Sequence, residues 1–257
     1  MATATFPESR GLHTTTFFVF IWVAAQGWAQ DAKDIVRRAE ARTRGGSSAS
    51  RLTITTVRPT WTREMAVKAW TLGNDLTLIL ITAPVKDRGI VFLRRGREVW
   101  NWLPSIERNI KLPPSMMGQS WMGTDFTNDD LVKEASIVED YEHRLEGEDS
   151  VGGRLCHRIR LTPKPEASVV WGRLVMWVDK RDLLMLRTEY YDEAGVLANT
   201  LLASDVRMLG GRLLPGRVEM VPADKKGYRT VMTYQDLVFD PSLPPQFFTT
   251  QQMPKVQ

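Results

Sequence analysis

At 257 residues, 43% of them hydrophobic and 25% charged, the chain can bury one substantial core and carries no low-complexity tract of note. Its formal net charge of +4 is compatible with an anionic membrane surface but does not by itself indicate nucleic acid. The single cysteine, Cys156, leaves no intrachain disulfide, so packing alone must hold the fold.

The chain opens with a leader. Arg10 and His13 precede the apolar run Phe17 to Ala25, and Gly27-Trp28-Ala29 offers small residues at both cleavage positions. Residues 1–29 therefore read as a signal peptide cut after Ala29, with 30–257 as a single mature domain. An uncleaved anchor is the alternative, although the run is only about half of the roughly 20 apolar residues needed to span a bilayer. No lipid-attachment cysteine follows the leader, and Cys156, between Leu155 and His157 in an alternating stretch, reads as a small core residue rather than a reactive thiol.

Asp31 to Arg44 is expected to form one amphipathic helix, with Ile35, Val36 and Ala39 on a common face and Gly45-Gly46 ending it. From Arg51 the pattern changes to short alternating runs separated by turn residues. Strands are expected near 51–58, 61–72, 75–82, 89–94, 97–102, 154–162, 169–178, 183–191, 196–208, 212–221 and 228–238. Turn signals such as Gly73-Asn74, Arg95-Gly96 and Gly210-Gly211 make successive hairpins. That regular punctuation favours one strongly curved meander or barrel of about 11 strands over two domains. A short helix near 128–133 interrupts it, where Thr127 or Asn128 can cap and Asp129-Asp130 complement the helix dipole. Residues 136–148 read as a solvated strand or loop.

Catalytic chemistry finds no support. Outside the leader the only histidines are His143 and His157, neither beside a Gly-x-Ser-x-Gly elbow, and Asp125, Asp129 and Asp130 are accounted for by helix capping. There is no His-x-x-x-His, no paired cysteines and no calcium-loop spacing. No enzyme activity, metal or cofactor is expected. Arg94-Arg95-Gly96-Arg97 and Glu107 to Lys111 mix basic residues with neighbouring aromatics, but as hairpin turns without long basic runs they argue against nucleic acid.

The aromatic residues are more informative. Trp100 and Trp102 project from one face of a strand, as Trp171, Val175 and Trp177 do of another, and such faces either fill a core or line a pocket. Between them, Met116, Met117, Trp121, Met122 and Phe126 sit on a loop rich in turn residues, and flexible methionines suit adaptable contact with an irregular apolar ligand. A cavity lined from the strands by Trp70, Leu78, Leu80, Phe92, Trp100, Trp102, Trp171, Val175 and Trp177, and closed by a lid bearing those loop residues, is the expected binding site.

Several separated pieces resemble a known family. Pro84 to Gly89 followed by Phe92-Leu93 is similar to a Pro-x-x-x-x-Gly-x-x-Phe-Leu stretch, and Trp100-Asn101-Trp102-Leu103-Pro104 to Trp-x-Tyr-Leu-Pro with Trp102 in place of tyrosine. Ser120-Trp121-Met122-Gly123-Thr124-Asp125-Phe126 with Asp130-Leu131 resembles Ser-Phe-Met-Gly-Ser-Asp-Phe and Asp-Leu. These belong to the bacterial outer-membrane lipoprotein-sorting proteins, the LolA-like periplasmic carriers. The resemblance spans about Asp31 to Phe248 and implies an unclosed antiparallel β-barrel covering helices, LolA/LppX-like, with a hydrophobic cavity for acyl chains. It further implies a periplasmic, monomeric carrier for a lipoprotein or other lipid, working between an inner-membrane exporter of ABC or RND type and an outer-membrane acceptor. A lipid-sensing or accessory module for a membrane transporter is the alternative, since one fold serves several functions.

Overall fold

The computed structural model describes Met1 and residues 20–132, 136–167 and 169–256. Helix α1 (Phe20–Arg44) leads into strands β1 (Ser47–Val57), β2 (Thr62–Leu72), β3 (Leu76–Ala83), β4 (Val91–Arg95), β5 (Glu98–Leu103) and β6 (Arg108–Lys111). Two single 3₁₀ turns, Pro114–Met116 and Trp121–Gly123, then precede helices α2 (Asn128–Val132) and α3 (Ser136–Glu139). The chain continues with β7 (Tyr141–Val151), β8 (Arg154–Pro163), β9 (Arg173–Asp179), β10 (Met185–Tyr191), β11 (Leu197–Leu209), β12 (Arg212–Pro222) and β13 (Arg229–Phe239), and finishes in short 3₁₀ turns. No helix among the described residues is long and apolar enough to cross a membrane.

All 13 strands form one antiparallel sheet in the order β6-β5-β4-β3-β2-β1-β13-β12-β11-β10-β9-β8-β7. Each strand pairs with its neighbour in sequence except at the centre, where β1 pairs with β13 from Ser48–Phe239 to Val57–Arg229. The sheet stays open, with β6 and β7 as free edges. β6 is an addition to the expected meander, and the stretch 136–148, expected as a solvated strand or loop, divides into α3 and the first part of β7. β6 is exposed along its whole length and so shows no alternation, and β7 alternates only at its start, where Tyr141 and His143 are buried. Of the expected leader, residues 2–19 lie outside the described residues. From Phe20 the backbone is helical and continuous with the expected helix.

The curved sheet wraps α1. Ala32, Ile35, Val36 and Ala39 are buried against Val138, Tyr141, Ile159, Leu161 and Met176, so the apolar stripe of the helix seats on β7–β9. The other half of the concave face, β1–β5, is filled by the segment between β6 and α2, through a cluster containing Ile54, Met65, Phe92 and Trp121. The opposite, outer face of β2–β5 is also covered. Leu78, Leu80, Val91 and Leu93 pack there against Phe248 and Met253 of the C-terminal segment.

Candidate functional site

Between α1 and the concave face lies a cavity of about 280 Å³. Alternation decides what reaches it. β1 turns Ser48, Ser50, Leu52 and Ile54 inward, β2 turns Val67, Ala69 and Thr71, and β3 turns Thr77 and Ile79. The opposing wall is built from β9–β13, including Leu174, Met176, Leu201, Val218 and Met232.

Strand register arranges these residues in cross-strand rows. Ser48 pairs with Thr71 and Thr71 with Thr77, Ser50 with Ala69 and Ala69 with Ile79, and Leu52 with Val67. One end is therefore hydroxylated and the middle apolar. The hydroxyls of Ser48 and Thr71 are 2.7 Å apart, and beside them α1 contributes Glu40 and Arg44, a buried i,i+4 ion pair at 3.4 Å. Of the described lining residues, Thr43 alone is exposed, and it lies at this end.

The other end is closed by residues 120–130. Trp121 donates its backbone N–H to the carbonyl of Phe126 at 2.8 Å, and the Thr124 hydroxyl donates to the Trp121 carbonyl at 2.7 Å, which folds the segment into a tight loop. Met122 and Gly123 both take positive φ, 50° and 75°, a conformation that glycine adopts freely and methionine only under constraint. The constraint is visible. Arg63 donates to the Met122 carbonyl, Arg58 donates to the Gly123 carbonyl at 3.0 Å and to the Asp125 carboxylate at 2.9 Å, and Thr230 donates its hydroxyl to the same carboxylate at 2.7 Å. Arg58 and Asp125 are buried, and the guanidinium also lies over the rings of Tyr228 and Trp61. The latch thus ties the closing loop to the β1–β2 turn and to the start of β13.

Thr127 caps α2. Its hydroxyl accepts from the Asp130 N–H at 3.0 Å while the Asp130 carboxylate accepts from the Thr127 N–H at 2.8 Å, a reciprocal capping box. The other carboxylate oxygen of Asp130 accepts from the Trp171 indole at 2.9 Å. Burial pushes the Asp130 carboxyl above its ordinary value, against the lowering effect of these hydrogen bonds. Burial and the carboxylates of Asp129, Asp130 and Asp140 push the Tyr141 hydroxyl up as well. His143 lies away from the cavity with Nε2 at 2.8 Å from the Ile137 carbonyl, and burial holds its pKa below the usual histidine value.

The expected site residues divide. Trp121, Phe126 and Trp171 line the cavity. Phe92 stands behind them, its ring centroid 5.2 Å from that of Trp121, and Met122 is half-buried against the same cluster. Met117 is buried with Val99 and Leu112, whereas Met116 is exposed. Trp70, Leu78, Leu80, Trp100 and Trp102 fall outside the lining, on the outer face, where Trp70 meets Phe247 edge-on at 5.5 Å. Val175 and Trp177 also face away from the cavity. They pack with Cys156, and Arg158 and Arg187 lie over the Trp177 ring. Parity grouped Trp100 with Trp102 and Val175 with Trp177 correctly but not Trp171, which precedes β9 and lines the cavity, and it could not say which face of β2–β5 was concave, because the C-terminal segment buries the outer one too. Sequence reasoning passed over the hydroxyl row and the β11–β13 wall. The Glu40–Arg44 spacing and the even-numbered run Ser48, Ser50, Leu52, Ile54 were the available signals.

Among the described residues no three metal-ligating side chains cluster. Comparison with curated proteins finds no match. A family model described as that of an uncharacterized protein matches residues 73–255. Among solved structures, a DUF1329 family protein from Desulfovibrio piger is 23% identical with a TM-score of 0.82, over 88% of this chain and 99% of its own. A LolA superfamily protein from Nitrosomonas europaea is 25% identical with a TM-score of 0.74, over 86% and 98%. A domain assigned to outer membrane lipoprotein sorting, from Vibrio parahaemolyticus, is 20% identical with a TM-score of 0.77, over 88% and 99%. The chain therefore belongs to the family whose model spans residues 73–255, and its open sheet around a helix is the LolA-like fold of outer membrane lipoprotein-sorting proteins.

Proposed function

We propose that the protein is a periplasmic carrier that shelters the acyl part of a lipid or lipoprotein and passes it between envelope membranes. The observation that carries this reading is the mainly apolar cavity of about 280 Å³, bounded by the C-terminal end of α1 and by Trp121 and Phe126. An acyl chain costs about 0.8 kcal/mol per CH₂ left in water, so a carrier must cover most of its length. The volume sits near the lower end of the roughly 300–1,000 Å³ of small-molecule pockets, which suits one chain at a time. Residues 1–29 would direct export and be removed, and an inner-membrane exporter of ABC or RND type and an outer-membrane acceptor would be the partners. No catalytic role is part of this reading, in which Asp130 serves the cap of α2 and Asp125 the latch.

Native mass spectrometry with lipid extraction, on mature protein purified from the periplasm, tests it. A co-purifying acylated molecule that the protein also moves between donor and acceptor vesicles supports the carrier. Retention without transfer would make it a lipid-sensing or accessory module, and a clean apoprotein that takes up no fatty acid would remove the cavity from consideration.

A further inference from the structure

Resting on the carrier reading, we infer that the polar end of the cavity is a headgroup subsite, selecting a single-chain amphiphile with a zwitterionic head and fixing its orientation. Six polar residues gather at that end: Glu40, Thr43 and Arg44 from α1, with Ser48, Thr71 and Thr77 in one cross-strand row, while Leu209, Leu214 and Leu237 line the facing wall. Glu40, Arg44, Ser48 and Thr77 are each less than one-tenth exposed. Bringing two charges into a mainly apolar lining costs desolvation. A ligand that carries both signs of charge would meet them.

The chemistry of the head follows from the pair. Arg44 offers forked donors suited to a phosphate, Glu40 an acceptor suited to an ammonium group, and the threonine and serine hydroxyls can satisfy ester oxygens. A purely anionic head would face the Glu40 carboxylate, and a purely cationic head the Arg44 guanidinium. Moving away from this row, the inward residues become Ser50, Ala69 and Ile79, then Leu52 and Val67, then Ile54 beside Trp121. From Ser48 to Ile54 the strand advances about 20 Å at roughly 3.4 Å per residue. That exceeds the roughly 15 Å of one leaflet's hydrocarbon, half of a core about 30 Å thick. A chain with its head at the hydroxyl row would end against Trp121.

The test is calorimetric titration of the mature protein, below micelle-forming concentrations, with three probes of equal chain length: palmitoyl lysophosphatidylethanolamine, palmitoyl lysophosphatidylglycerol and hexadecanol. The zwitterionic probe is expected to bind roughly tenfold tighter than either of the others, the gain from one charge-assisted hydrogen bond. In the double variant Glu40→Gln, Arg44→Gln that preference should vanish while hexadecanol affinity is kept. If the double variant does not fold, Thr71→Val, which removes one hydroxyl of the row, should weaken the zwitterionic probe selectively. Equal binding of all three probes by the native protein, tightest binding of the anionic one, or a preference that survives these variants would overturn the headgroup subsite and leave the carrier standing. Failure to bind any of the three, hexadecanol included, would overturn the carrier as well.

Discussion

Trp121 has no exposed surface and shares its cluster with Phe92, Ile54 and Met65, so it is wall and core together. Trp121→Ala should cost about 3–5 kcal/mol, read as a drop in the urea midpoint at constant slope. Its indole N–H finds no acceptor among the described residues, an arrangement that burial penalises. Trp121→Phe, which keeps a ring and removes that donor, should therefore unfold at nearly the native midpoint. His143 sets a second expectation. Its folded pKa lies below the ordinary 6.5 because burial disfavours the charged ring, so the unfolded chain binds the proton more readily. Its contribution to stability is complete above pH 6.5 and is lost as pH falls toward the folded value. His143→Gln should flatten that stretch of the stability–pH profile. Asp130 runs the other way: with its folded pKa raised above 3.8, its contribution is greatest below that pH and declines as pH rises through the folded value.

At the level of elements, the closing loop stays in its positive-φ shape through contacts made by other parts of the chain. Arg58→Ala or Asp125→Ala should each cost about 3–5 kcal/mol, since each strands a buried charge. The double variant should cost clearly less than the two losses added, and amide exchange over residues 120–126 should quicken in all three. The motif Ser120 to Phe126 was legible as a distinctive segment next to a short capped helix, and Thr127 with Asp130 does form that cap. Its partners were not legible, because Arg58 and Thr230 come from distant turns and nothing local marks them. Strands β1 to β5 and β8 to β13 stood out through alternation and glycine turns. β6 escaped because an exposed edge strand buries neither face.

For the whole molecule, the outer face of β2–β5 is finished only by residues 243–256, whose Phe248 and Met253 are fully buried. Truncation after Asp240 should uncover Trp70, Leu78, Leu80, Trp100 and Trp102, seen as strong dye binding and aggregation on size-exclusion chromatography. The same cover explains why the tryptophan faces read as cavity: alternation reports burial, not which side of a sheet is concave. The central pairing of β1 with β13 has a temporal meaning as well. Leu52 and Ile54 in the cavity wall meet Tyr234 and Met232 across that seam, so the two walls are joined by the first and last strands of the sheet to be made. During synthesis, the emerging chain can build hairpins one after another, yet it has no chamber until its final strand arrives. Such distant pairing is slow to form, so the cavity comes into being only when the sheet is whole.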